Sequence, residues 1–194
     1  MDPNRKRWNA GQQILRKALA HPETHEQAVE LFLIQHAMCH TAEMSGAGVY
    51  SFEDEIWEGL DDAFSRCAQP KFEHSIVWCF WHLTRIEDVT MNMLLAGTPQ
   101  LFLRDGWFDR LGIPFRHTGN GMDAAEVSSL SAKINISSLR NYRFAGAFDQ
   151  AAAYMVAVCF QTRIKHPALV LLKVAQFHAT NILCFVVCRM PGPN

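Results

Sequence analysis

Apolar residues recur at spacings of three and four along most of the chain, and no stretch alternates long enough to predict a strand. Between 24 and 44 the stripe is Val29, Phe32, Leu33, Ala37 and Met44. His36 and His40 fall on that stripe, while Glu26, Glu30 and Glu43 lie off it. A second series, from 72 to 96, runs through Trp78, Cys79, His82, Ile86, Val89 and Met93 and predicts a helix about 37 Å long. On this helix Arg85, Asp88 and Asn92 read as a wetter side, and Glu87 and Asp88 as solvated charges off the face of His82. Two further long helices are expected over 136–161 and 167–188.

Punctuation supports these boundaries. Thr24 with Gln27, Ser51 with Asp54, and Asp123 with Glu126 each have the spacing of a capping box. Gly46 with Gly48, Gly97-Thr-Pro99 and Pro191-Gly-Pro193 are stops. Short helices are expected at 9–20, 51–64, 105–111 and 123–133. The pattern predicts an all-α fold: a four-helix bundle with a long crossover between its second and third long helices, and short accessory helices. A chain of 194 residues suits one domain spanning 1–194.

Composition narrows the function classes. A net charge of −1 offers no basic footprint for nucleic acid or anionic lipid. The basic Asn4-Arg-Lys-Arg7 is not followed by the apolar core of a secretory signal. The run 167–188 is almost wholly apolar, but Lys173, Gln176, His178, Thr180 and Asn181 interrupt it, which favours a buried helix over a membrane span. If exposed instead, that helix would drive formation of a homodimer. Six cysteines without any Cys-x-x-Cys fit reduced thiols in the cytoplasm and give no zinc finger. Gly119-Asn-Gly121 lacks the strand–loop–helix setting of a phosphate loop, and no serine nucleophile motif occurs.

The candidate chemistry lies in the histidines. His36 and His40, four apart on one helical face, suit bidentate metal binding, and His82 would supply a third nitrogen. Cys79, one turn from His82, is the nearest candidate for a fourth donor. A three-histidine site with an open position accepts zinc, nickel or iron. The alternative for His82 is a core imidazole bonded to a backbone carbonyl, because an unpaired polar ring in an apolar core costs a few kcal/mol. The His36/His40 spacing also arises by chance in a chain with nine histidines.

Several segments resemble the DinB/YfiT-like family of four-helix bundles, in particular its branch related to mycothiol-dependent maleylpyruvate isomerases. They include Leu31-Phe-Leu-Ile-Gln-His36-Ala-Met-Cys-His40, Ser51-Phe-Glu-Asp-Glu-Ile-Trp57, Ser75-Ile-Val-Trp78 through Gly97, Thr118-Gly-Asn-Gly-Met122 and Ala132-Lys-Ile-Asn-Ile-Ser-Ser-Leu-Arg-Asn-Tyr142. The resemblance covers 9–144. It implies a divalent metal, a low-molecular-weight thiol as cosubstrate, a small-molecule substrate, and transfer or isomerisation chemistry. His82-Leu83 matches the family's metal-ligand element on the second long helix. The other two ligands, a His-x3-His or Glu-x3-His pair on the fourth helix, have no match: Val174 precedes His178 by four residues and Ile182 follows it by four. Beyond Ala145 the chain holds a single acid, Asp149, of 19 in all. Either the site has been lost or rebuilt, or 145–194 is an altered C-terminus from a shifted reading frame. The alternative function is a non-catalytic helical binding protein or a decayed family member.

Overall fold

The computed structural model describes residues 3–46, 48–68 and 73–145. The expected helices at 136–161 (past residue 145) and 167–188 lie outside the described residues, as do Asp149 and His178. Among the described residues the regular structure is helical, with no strand and one isolated bridge between Ala68 and Ser75. No helix among the described residues is long and apolar enough to cross a membrane. The chain groups into two compact units, 1–58 with 152–194, and 59–151.

In the first unit, α1 (Pro3–Leu19) packs against α2 (His25–Ala37). Trp8, Leu15 and Ala18 are buried from α1, and Ala28 and Phe32 from α2. The helices approach closely at Gly11, where a Cβ would run into the Gln35 amide. Gln12 Nε2 donates to Gln35 Oε1 at 3.3 Å beside that contact. Helix α1 begins before the expected residue 9. The capping box expected at Thr24 does not form, because its hydroxyl donates backward to the carbonyls of Ala18 (2.7 Å) and His21 (2.9 Å). The box at Ser51 does form, at the start of α4 (Phe52–Trp57). Between them lies α3 (Ala42–Ser45), which Gly46 closes in the left-handed region. The single helix expected at 51–64 is two, α4 and then α5 (Asp62–Arg66) of the second unit.

In the second unit, α6 (Ile76–Asp88) lies against α5, α7 (Leu101–Arg104), α9 (Ala124–Lys133) and α10 (Ile136–Arg143). Ser75 caps α6 by accepting from Trp78 N–H. The Ser131 hydroxyl donates to Val127 O at 2.6 Å, so Ser75 is the donor in the 2.6 Å bond between the two serines. Helix α6 continues as a π-helical run, Val89–Ala96, which ends on left-handed Gly97. After α7 and α8 (Trp107–Leu111), the expected Asp123/Glu126 box starts α9, and Asn135 caps α10. Arg66 Nη1 latches α5 to the end of α9, donating to the carbonyls of Ser131 and Ile134 at 2.9 Å each.

The wetter side expected on this helix is not wet. Arg85, Asp88 and Asn92 are all buried, because α6 is covered on every side and all its residues except Ile86 are buried. Their polarity is satisfied internally. Asp88 Oδ1 accepts from Asn92 Nδ2 and Leu101 N–H, both at 2.8 Å. Asp88 Oδ2 accepts from Phe102 N–H at 2.9 Å and the Tyr142 hydroxyl at 2.6 Å. The carboxylate thereby caps α7 and ties α6 to α10. Arg85 lies 3.6 Å from it, donates to Tyr142 Oη (3.3 Å) and Arg116 O (3.2 Å), and sits 3.6 Å from the Phe102 ring centre. Burial and the neighbouring Asp88 charge hold the Tyr142 hydroxyl protonated, well above its ordinary pKa.

Removing Asp88 strands a buried guanidinium and uncaps α7. Asp88→Ala should lower the unfolding free energy by about 3–5 kcal/mol, read from urea denaturation. A loss below about 1 kcal/mol, the scale of a solvated pair, would show that the network contributes little.

Candidate metal centre

His36 stands in the last turn of α2, and His40 stands just past its end. A helix continuing to 44, as expected, would bond Ala42 N–H to Met38 O. Both groups are diverted. Met38 O accepts from Phe52 N–H at 3.1 Å, and Ala42 N–H donates to Asp54 Oδ2 at 2.9 Å. The same Asp54 oxygen accepts Ser51 N–H and the Ser51 hydroxyl, each at 2.9 Å. The α4 capping box therefore also ends α2. Tight bonds from Cys39 N–H to His36 O (2.9 Å) and His40 N–H to Ala37 O (3.3 Å) shape the turn between.

This turn brings the two imidazoles together. The Nε2 atoms are 3.1 Å apart, the ring centres 4.4 Å apart, and the planes tilted by 48°. Phe32 stacks on His36 with centres 5.6 Å apart. Without an ion one ring donates and the other accepts; with one, both lone pairs can face it. Two nitrogens bound at about 2.0–2.1 Å to a tetrahedral ion lie about 3.3 Å apart, so the spacing fits either state.

Both rings are buried, His40 completely. Two imidazoles at this spacing could supply part of the coordination of a divalent ion. Glu87, read from the sequence as solvated, is 0 % exposed. With α6 covered on all sides, it has no solvated face to occupy. The sequence signal was available: Ile76 to Val89 is too apolar all round for its acids to reach water.

His82 has other surroundings. Its Nδ1–H donates to the carbonyl of Thr118 at 2.5 Å, and its ring stacks on Trp78 with centres 4.8 Å apart and planes at 17°. On the other side of Trp78 is His74, at 3.9 Å between centres. Trp78 Nε1–H points at Met122 Sδ, 3.3 Å away, and the Gly119 N–H donates to His117 Nδ1 at 3.0 Å. Gly119 sits on this aromatic bed at φ +99, where a Cβ would fall 2.7 Å from Trp81 and 3.3 Å from His82 Nδ1. Burial lowers the His82 pKa below its ordinary 6.5; the Thr118 carbonyl opposes that and His74 adds to it.

No protein-family model matches the chain, and no curated protein matches it.

Two outcomes follow for the His82 bed. Gly119→Ala combines an unfavourable φ with a collision against indole, and should cost roughly 2 kcal/mol or more in thermal or urea unfolding. With the folded pKa depressed, the unfolded chain binds the extra proton, so stability is greatest above 6.5 and is lost as pH falls from 6.5 through the lower folded value. The urea midpoint should therefore drop between about pH 7.5 and 5.5, and His82→Gln should flatten the slope. An identical slope in the variant would remove His82 as its source.

Proposed function

We propose that this protein is a divalent-metal-binding member of the DinB/YfiT-like four-helix bundles, acting in thiol-dependent transfer or isomerisation of a small molecule. The observation that carries the reading is the buried His36–His40 pair, with Nε2 atoms 3.1 Å apart. Support for the family comes from the segments between 9 and 144 that resemble it, and from the all-helical character of the described residues. A metal ion held there would act as a Lewis acid and favour the thiolate of a bound low-molecular-weight thiol. The protein's part is to fix the two imidazoles at the end of α2 and to surround them with apolar side chains such as Phe32.

A second reading, a non-catalytic helical binding protein, is favoured by the environment of His82. The residue matching the family's ligand is bonded to the Thr118 backbone and stacked on Trp78, as a core histidine would be.

Elemental analysis of the purified chain separates the two. The metalloprotein reading expects about one equivalent of zinc, nickel or iron, lost in His36→Ala and in His40→Ala. Glutathione added to cobalt-loaded protein should produce a near-ultraviolet thiolate-to-cobalt band. A folded protein that takes up no metal would leave the binding-module reading, and metal uptake without the band would end the thiol chemistry alone.

A further inference from the structure

We propose that the first two helices form a self-association surface, on which the basic face of α1 docks against the acidic face of α2 in a second copy of this chain. Helix α1 holds Arg5, Lys6, Arg7, Arg16 and Lys17 and no acid. The segment that follows, through Ala37, holds Glu23, Glu26 and Glu30 and neither Lys nor Arg. Trp8, Leu15 and Ala18 turn one side of α1 into the core, and Ala28 and Phe32 do the same for α2. The opposite sides are exposed. On α1 that side is Lys6, Ala10, Ile14 and Lys17, and on α2 it is Glu26, Glu30 and Ile34, each series spaced by three or four.

Two observations set these faces apart from ordinary solvated sides. Each presents one large apolar side chain beside its charges, Ile14 at 49 % exposure and Ile34 at 50 %. Among the described residues, none of Lys6, Arg7, Arg16, Lys17, Glu26 and Glu30 makes an ion pair, so the opposite charges of the two packed helices are not paired within one copy. Like charges gathered on one helix repel, and a facing surface of opposite sign relieves that repulsion.

Helix geometry sets out the fit. Lys17 lies about 4.5 Å along α1 from Ile14, and Glu30 about 6 Å along α2 from Ile34. With the isoleucines opposed, antiparallel helices therefore bring Lys17 to Glu30. Parallel helices bring Lys6 to Glu26 instead, each about 12 Å from its isoleucine. Either direction sets a cation against an acid. Two single-helix faces bury less than a standard interface, so the contact is transient and held mainly by charge. Each copy carries both faces, so copies pair about a two-fold axis or join head to tail. An anionic membrane would match α1 alone and leave the acidic face of α2 unused.

The test is sedimentation of the full chain by analytical ultracentrifugation. At low salt the weight-average mass should rise with protein concentration, and in about 1 M salt, where the screening length falls to about 3 Å, it should return to the monomer. Lys6→Glu with Lys17→Glu should weaken the association by roughly tenfold or more, and so should Glu26→Lys with Glu30→Lys. Mixing these two variants, or combining all the changes in one chain, should restore it, which also shows that the variants remain folded. A mass that stays monomeric at low salt and high concentration would overturn the proposal. So would association that survives both reversals, or a mixture that fails to associate. A monomer that co-sediments with phosphatidylserine vesicles through Lys6 and Lys17 would assign the basic face to a membrane and overturn it too.

Discussion

An ionised side chain inside a helical core must find its counter-charge and hydrogen bonds within the fold, and that constraint organises the structure around α6. The helix carries Arg85, Glu87 and Asp88 on a rod buried on all sides. Asp88 meets the demand with four donors from the π-helical run, the start of α7 and Tyr142. Arg85 meets it with Tyr142, the Arg116 carbonyl and the face of Phe102. Breaking either end of such a network leaves an uncompensated charge, which costs far more than an exposed pair would return. The short helices of the second unit are therefore held by polar bonds at their ends as much as by apolar burial.

The first unit solves a related problem with Asp54. One carboxylate oxygen takes the Ser51 backbone, the Ser51 hydroxyl and the Ala42 N–H. The bond that would have extended α2 is thereby replaced by two tertiary ones, and His40 is presented from a turn. That turn closes the distance between imidazoles four residues apart in sequence. The His36–His40 pair is thus built locally, by hydrogen bonds between 35 and 54.

Much of this was legible in the sequence, and the misses share a cause. The boxes at Ser51 and Asp123, the stop at Gly97 and the burial of His36, His40 and His82 follow from local spacing, which needs no tertiary knowledge. The Thr24 box failed because its hydroxyl found carbonyls behind it, in the preceding helix. The end of α2 at Ala37 depends on groups near residue 52, out of reach of any periodicity argument. Glu87 was misread through the assumption that every helix keeps a solvated face, although a helix as apolar as Ile76–Asp88 has none to spare. Asp88 was misread in the same way.

The placement of polar groups on α6 also bears on how a motif histidine is read. His82 and Glu87 face different directions from one rigid helix, so each is held by its own neighbours and neither constrains the other. His82 is a packed imidazole that seats the Gly119 loop, while Glu87 is fully buried further along the same helix. A histidine matching a family motif is weak evidence of ligation until the positions of its partners are known, since a backbone carbonyl and an indole satisfy His82 as well.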